Sequence, residues 1–306
     1  MKKIFCLMHI PAACLMLLAV FFAAGAACAQ ERQTIRIAYT DWADSVATAN
    51  LVKAVFQEKM GIRCDIVRMG ADEMWAAVTE GRVDAMLSAW LPDTHAHYYE
   101  AFGDKVTDLG PNLKGTRTGL VVPDVKIGRL AAGAGIRRSY ITIDSMAEIG
   151  AHADRFNRRI IGIEPEAGIM RQTAKAMDAY GLEGFELVKG SEAEMVGELN
   201  RAIRRQEWVV VTGWVPHWTF ARWNLKFLDD PKNVYGGEGR IHTIVRTGLE
   251  ADMPEAYGVL DRFYWEPADV GQLMLWIQDD DGRFPYDKAL RWMRANMETV
   301  ATWTAP

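Results

Sequence analysis

The sequence predicts an α/β protein of two lobes, each built on a mainly parallel sheet flanked by helices. Strand-like and helix-like segments alternate after Gln33, as they do in sheets covered by helices on both faces. Without residues 1–29, which resemble a leader, 277 of the 306 residues remain, more than one hydrophobic core normally holds. Two strand-like segments, near 121–125 and 239–245, are placed to cross between lobes and form a hinge.

Residues 1–29 have the pattern of a secretory signal peptide. Two lysines precede an apolar core, and Ala27-Cys28-Ala29 fits a small-x-small cleavage site. Lipoprotein cleavage before Cys28 is the alternative, which Gly25 disfavours because an aliphatic residue is preferred there. No later segment approaches the roughly 20 apolar residues of a membrane span. The sequence therefore predicts a soluble protein exported to the periplasm.

The net charge and the cysteine content limit the classes of function that the chain can have. The formal net charge is −5, and loss of the leader removes two lysines and no acid, which gives −7. Such a chain lacks the basic surface that nucleic-acid binding requires. Three of the four cysteines lie in the leader, so Cys64 has no internal disulfide partner and is expected to be a buried core residue. No metal-ligand spacing is found, so we expect no cofactor.

The first lobe is predicted to comprise residues 33–122 and 241–306, and the second lobe residues 123–240. Helix ends are marked by Gly61 and Gly81, and a capping box at Ser191-Glu-Ala-Glu194 marks a helix start. A surface insertion rich in Gly, Ala and Arg is expected over residues 126–140. The predicted strands are Ile35–Tyr39, Cys64–Met69, Ala85–Ser88, Gly119–Pro123, Ile160–Ile163, Trp208–Thr212 and Ile241–Val245. The predicted helices cover 45–59, 71–80, 168–180, 254–263, 268–278 and 285–299, and one more helix is predicted to start at Ser191.

A tryptophan follows each of three predicted strands. These are Trp42, Trp90 and Trp214, the last after Thr212-Gly213, where the chain is expected to turn. Open α/β sheets bind ligands at the carboxyl ends of their strands, so the three indoles are candidates for one aromatic box. By position alone, each is equally consistent with a core residue.

A box of indole faces suits a quaternary ammonium ion. This cation has no N–H group, so hydrogen-bond acceptors gain little from it, whereas an aromatic face attracts it by about 0.5–1 kcal/mol when exposed and about 2 kcal/mol when desolvated. Three faces would supply a large part of the roughly 8 kcal/mol of a micromolar complex.

A candidate carboxylate site follows the strand Ile160–Ile163. Gly168 and Ile169 begin a predicted helix, whose first N–H groups lack intrahelical partners and attract anions. His95 follows Trp90 closely and could donate to the same carboxylate from the other lobe. Both signals are weak alone, because every helix has such an end and a single histidine at a helix start is more often a cap or a surface residue.

Four segments in one order carry a family resemblance. They are Thr-Asp-Trp42, Ser-Ala-Trp-Leu-Pro-Asp-Thr-His95, Gly-Ile-Glu-Pro-Glu-Ala-Gly-Ile169 and Val-Thr-Gly-Trp-Val-Pro-His-Trp218. Over nearly the whole mature chain, the sequence resembles the substrate-binding proteins of ABC importers for glycine betaine and proline betaine. The resemblance implies a two-lobed periplasmic-binding-protein clamshell. It also implies that Trp42, Trp90 and Trp214 hold the ammonium group, while His95 and the amides of Gly168 and Ile169 hold the carboxylate.

One segment departs from the family pattern. Where the family commonly has Asp-Pro-Gly before the helix, this chain has Glu164-Pro-Glu166. Two carboxylates beside an anion site would repel the ligand's carboxylate unless they point elsewhere, which leaves the ligand pose and the preferred betaine open.

Two other functions compete with betaine binding. A receptor for choline, carnitine or another trimethylammonium compound would use the same box, but choline would not need His95 or the helix-end amides. An exported hydrolase would use Glu164 and Glu166 as an acid–base pair, but no nucleophile elbow accompanies them. The chain has no Walker A motif, so the importer's permease and ATPase are expected on separate chains, with this chain a monomer.

Overall fold

One long strand, β4 (Val106–Pro123), connects the two halves of the molecule. From Val106 to Thr116 it pairs with β11 (Gly239–Arg246), and from Arg117 to Val121 it pairs with β9 (Val211–Val215). In this computed structural model, which describes residues 34–127 and 138–305, the strands therefore form two sheets joined through β4. The predicted α/β fold of two lobes is confirmed. The predicted leader with Cys28, and most of the insertion predicted at 126–140, lie outside the described residues.

The first lobe is the sheet β2-β1-β3-β11-β4 with its helices. β1 pairs in parallel with its two neighbours, whereas β11 is antiparallel to both of its own. The sheet is thus parallel except for the strand that returns from the other lobe. Its remaining strands and its first helices are β1 (Thr34–Tyr39), α1 (Ala43–Val55, extended by a π-turn to Met60), β2 (Arg63–Arg68), α2 (Ala71–Thr79), β3 (Ala85–Leu91) and α3 (Ala96–Phe102).

The second lobe is built on the order β4-β9-β7-β8, with β10 on the other side of β4. Here β4 is the reversed strand, because it arrives from the first lobe, and β7 pairs in parallel with β8 and β9. The elements of this lobe, besides β9, are β5 (Lys126–Ile127), β6 (Arg138–Ser139), β7 (Arg159–Ile161), α4 (Gly168–Ala179), β8 (Glu186–Val188), α5 (Glu192–Arg205), α6 (Thr219–Arg222) and β10 (Leu225–Phe227).

The C-terminal helices return to the first lobe. Three of them begin with proline at the first helical position, where its missing N–H costs nothing. Trp265, Trp292 and Trp303 are fully buried among them. The helices are α7 (Leu249–Asp252), α8 (Pro254–Arg262), α9 (Pro267–Gln278), α10 (Pro285–Ala295) and α11 (Met297–Thr304).

Two predicted details of the sheets need correction. The run predicted as a strand over Trp208–Thr212 joins the ladder only at Val211, and the strand continues through Trp214. Gly213 is therefore inside β9 and makes no turn; a Cβ there would lie 2.4 Å from a methyl group of Val121, so close packing requires the glycine. β4 changes partner between Thr116 and Arg117. The predicted lobe bounds, 33–122 with 241–306 and 123–240, stay a prediction.

Cys64 is buried in the core of the first lobe, as predicted. Over the described ranges, no helix combines the length and the apolar character needed to cross a bilayer.

Candidate functional site

A cavity lies between the lobes, at the ends of β1, β3, β7 and β9. The six residues predicted to bind ligand all line it. The lining comprises Trp42, Trp90, Thr94, His95, Thr118, Ile163, Ala167, Gly168, Ile169 and Trp214. The structure therefore brings the predicted residues of both lobes to one place.

The three tryptophans reach the cavity from three different elements. Trp42 is the residue that precedes α1, while Trp90 and Trp214 are the penultimate residues of β3 and β9. A cis proline follows each of these two tryptophans two residues later in the chain. All three side chains are almost completely buried, at 5–6% exposure, so a cation on their faces would be largely desolvated.

Two of the indoles donate to a carboxylate of the opposite lobe. Trp42 Nε1 lies 3.3 Å from Glu164 Oε2, and Trp214 Nε1 lies 3.3 Å from Asp44 Oδ1. These bonds fix the ring planes and use the indole edges, which leaves the ring faces for other contacts. For Trp90 Nε1, the described part of the chain provides no partner.

His95 is fully buried and held by its Nδ1 atom. The backbone N–H of Trp90 and the indole N–H of Trp75 donate to Nδ1 at 3.2 and 3.4 Å. Because Nδ1 accepts, the proton of the neutral ring is on Nε2. Nε2 is buried and has no partner within the described ranges, so it is a free donor beside the cavity.

Burial also keeps this donor uncharged. Desolvation, with a smaller contribution from the nearby His97, lowers the pKa of His95 to about 3. The ring is therefore a neutral hydrogen-bond donor at physiological pH. Trp75, whose indole donates to this ring, is fully buried.

The first turn of α4 supplies the other predicted donors. Gly168 and Ile169 are its first two residues, and no side chain caps this helix end. Their N–H groups have no carbonyl of the same helix to pair with, so they carry the positive end of the helix dipole into the cavity. A Cβ on Gly168 would lie 2.1 Å from the carbonyl oxygen of Thr94, so glycine is needed for the lobes to meet here.

The two glutamates that depart from the family pattern point away from the cavity. Neither Glu164 nor Glu166 is among its lining residues. Glu164 accepts the Trp42 indole, and burial raises the pKa of its carboxyl. The carboxylate of Glu166 faces Gly70 at the start of α2, a favourable position for an anion. The two carboxylates therefore contact different groups, and neither lines the cavity.

A buried polar cluster behind Trp214 was not predicted. Asp44, Glu192 and His217 are each less than 8% exposed and belong to α1, α5 and the loop after β9. Burial, and then the charge of Glu192, raise the pKa of Asp44 to about 7. The sequence offered one signal for this cluster: Asp44 lies two residues after Trp42, and His217 lies three residues after Trp214.

Metal binding finds no support at this site: the described residues contain no group of three or more His, Cys, Asp or Glu placed to hold an ion. The arrangement combines aromatic faces with uncharged N–H donors. It can hold a small molecule with a cation at one end and an anion at the other.

Comparison with known families identifies related proteins. A family model described as the substrate binding domain of ABC-type glycine betaine transport system matches residues 33–295. Among curated proteins, the glycine betaine/carnitine transport binding protein GbuC of Listeria monocytogenes is 44% identical over 163 residues. That match covers 53% of this chain and 53% of GbuC, so the similarity spans about half the length of this relative.

Solved structures match over most of the chain. Lactococcal OpuAC, in a closed conformation with glycine betaine, is 35% identical with a TM-score of 0.80, over 89% of this chain and 99% of its own. A choline-binding protein of an ABC transporter, in complex with choline, is 26% identical with a TM-score of 0.77, over 88% of this chain and 91% of its own. The ligands in these two structures, glycine betaine and choline, both carry a trimethylammonium group.

Proposed function

The chain belongs to the family of substrate-binding domains of ABC-type glycine betaine transport systems, and from this premise we propose that it captures glycine betaine or proline betaine for an ABC importer. One observation carries the proposal. A single buried cavity brings together three indoles, an uncapped helix start and a neutral histidine donor. These are the groups that a molecule with a quaternary ammonium and a carboxylate requires.

The ammonium end is held by Trp42, Trp90 and Trp214. Their burial excludes water, which raises each cation–π contact from about 0.5–1 to about 2 kcal/mol. The carboxylate end lies at the start of α4. There it accepts from the N–H groups of Gly168 and Ile169 and from Nε2 of His95, and hydrogen bonds to a charged group are the stronger kind.

The chain acts as a binding protein rather than an enzyme in this proposal. Its GbuC and OpuAC relatives are binding proteins of transport systems, and Glu164 and Glu166 are engaged elsewhere. It works outside the cytoplasm, in the periplasm, after removal of residues 1–29, and delivers its ligand as a monomer to a permease and an ATPase on separate chains. The lobes, residues 33–122 with 241–306 and residues 123–240, close on the ligand.

A second candidate ligand class is choline, carnitine or another trimethylammonium compound. The similarity to a choline-bound structure favours it, since the same indole box serves every such cation. The free donor on His95 and the uncapped start of α4 favour a carboxylate-bearing ligand, because choline has no anionic group to accept from them.

A ligand screen tests this proposal. The purified mature chain is melted with glycine betaine, proline betaine, carnitine, choline and ectoine, and hits are titrated by calorimetry. A ligand that binds only the folded state raises the melting temperature. We expect the largest shifts with glycine betaine or proline betaine; a larger shift with choline would establish the alternative, and no shift with any of these compounds would refute the proposal.

A further inference from the structure

A buried carboxylate bridges the two lobes beside the cavity. Glu192 Oε2 accepts from the backbone N–H of Ala43 at 2.9 Å, and Glu192 Oε1 lies 3.0 Å from His217 Nε2. Glu192 and His217 belong to the second lobe, whereas Ala43 is the first residue of α1 in the first lobe. We propose that Glu192 is a positioning residue that locks the closed, ligand-bound state, an inference that rests on the proposed betaine-binding function.

The tautomer of His217 makes this bridge depend on a carboxylate. The backbone N–H of Thr219 donates to His217 Nδ1 at 3.2 Å, so the ring proton is on Nε2 and is donated to Glu192. Both contacts of Glu192 are therefore with donors. A carboxylate has two acceptor oxygens for them, whereas a glutamine in its place has one acceptor oxygen and would turn its NH₂ group toward a donor.

The bridge is attached directly to two box residues. Ala43 follows Trp42 in the chain, so the bond to Ala43 fixes the backbone that carries this indole. The ring of His217 packs edge-on against Trp214, with centroids 4.7 Å apart and planes at 81°. Glu192 thus holds Trp42 of the first lobe through the backbone of Ala43, and Trp214 of the second lobe through the ring of His217. If the lobes separate at Ala43, Trp42 moves away from Trp214.

The surroundings allow the bridge to open. Ala43 and Glu192 also line a second, open groove between α1, α5 and the end of α9. Water from this groove can solvate the N–H group and the carboxylate once the lobes separate, so neither is left buried without a partner. In the closed state the carboxylate sits at the positive end of α1, which favours it. The bridge therefore strengthens closure without making release impossible.

Kinetics of the Glu192→Gln variant test the inference. Stopped-flow tryptophan fluorescence gives the association and dissociation rates of glycine betaine, or of the betaine that the screen identifies. Losing a buried bond to a charged group should raise the dissociation rate at least about tenfold and change the association rate much less. Glu192→Asp, which keeps the charge but is too short to span both donors, should show the same increase.

Glu194→Gln is the matched control. Glu194 lies in the same first turn of α5 and is exposed, and within the described ranges its carboxylate bonds only with Ser191 of its own capping box. It should change the melting temperature slightly and the dissociation rate not at all. Energy transfer between dyes on cysteines placed at the exposed Lys59 and Glu183 gives the closed fraction at saturating ligand. This fraction should fall in both Glu192 variants and stay at the wild-type value in the control.

The outcomes separate this inference from the proposed function. A wild-type chain that binds no betaine would refute the proposed function. Wild-type binding, with a dissociation rate and a closed fraction that Glu192→Gln and Glu192→Asp leave unchanged, would overturn the role of Glu192 alone.

Discussion

The indole N–H of Trp214 donates to Asp44 Oδ1 at 3.3 Å, from the second lobe to the first. The reverse contact also exists, since Trp42 of the first lobe donates to Glu164 of the second at 3.3 Å. A carboxylate at the N–H edge of an indole adds negative potential to the ring and so strengthens its attraction for a cation. Two of the three predicted box indoles are therefore polarised by a carboxylate of the opposite lobe.

Asp44 should make ligand binding depend on pH. Its pKa in the closed lobes is raised to about 7, first by burial and then by Glu192. Trp214 and Glu192 reach Asp44 from the second lobe, so opening removes these causes and closure on a ligand should take up a proton. Betaine affinity should therefore fall as pH rises toward about 7 and level off above it. Calorimetry in buffers of different ionisation enthalpy measures both the affinity and the proton taken up.

The Asp44→Asn variant separates this titration from other effects. Its side-chain oxygen still accepts the Trp214 indole, but it has no ionisable group, so its affinity should be flat over the same pH range. For folding, the protonated form of Asp44 stabilises the closed fold at low pH, and this contribution is lost as pH rises through about 7. A wild-type affinity that is independent of pH, without proton uptake, would show that Asp44 does not sense closure on the ligand.

Removal of one indole should weaken betaine binding strongly. Trp90→Ala or Trp214→Ala should raise the Kd more than tenfold, since a desolvated cation–π contact is worth about 2 kcal/mol. Trp→Phe at the same positions should cost much less, because an aromatic face remains. Calorimetric titration measures the Kd. Trp276→Ala is the control, because this half-buried ring lies on α9 and contacts Arg291 outside the cavity. An unchanged affinity in Trp90→Ala and Trp214→Ala would refute the box.

His95 should distinguish ligands that have a carboxylate from those that lack one. His95→Ala removes the Nε2 donor and also the acceptor that supports Trp90 and Trp75, so some affinity for every ligand is lost. The bond to a carboxylate is worth about 1.5–3 kcal/mol more, so glycine betaine should lose about tenfold or more beyond the loss for choline. Titration of both ligands against wild type and His95→Ala gives the two ratios. Equal ratios would remove His95 from carboxylate recognition.

The sequence predicted those site residues that can be recognised from their neighbours in the chain. Tryptophans at strand ends and a glycine at a helix start can be recognised without knowing how distant segments meet, and all of them line one cavity. Asp44 and Glu192 could not be found in this way. Their partners are 170 and 149 residues away along the chain and meet them only because the lobes close.

Strand limits were hard to predict for a related reason. The run Trp208–Val210 is apolar and buried, yet the residue pairing of β9 with β4 and with β7 begins only at Val211. A hydrophobic pattern indicates that residues are buried, but it does not indicate where pairing with a neighbouring strand begins. Gly213 was misread as a turn for the same reason, since its role is to leave room for Val121 of that neighbour.

A single methyl group at Gly168 should prevent closure. The Cβ of a Gly168→Ala variant would lie 2.1 Å from the Thr94 carbonyl oxygen and 2.8 Å from its carbon, and both are backbone atoms that have little freedom to move. Thr94 is in the first lobe and Gly168 in the second, so an open, ligand-free chain does not meet this clash. Betaine affinity should fall more than tenfold, while the melting temperature without ligand changes little.

Gly197→Ala is the matched control for this substitution. Gly197 lies within helix α5 of the same lobe, and a Cβ there meets nothing within 4 Å. It should keep wild-type affinity and gain up to about 1 kcal/mol in the free energy of unfolding, as glycine-to-alanine changes in helices do. Calorimetry and thermal melts of the two variants provide the comparison. Wild-type affinity in Gly168→Ala would mean that the ligand-bound lobes do not approach as closely as Thr94 and Gly168 do in this structure.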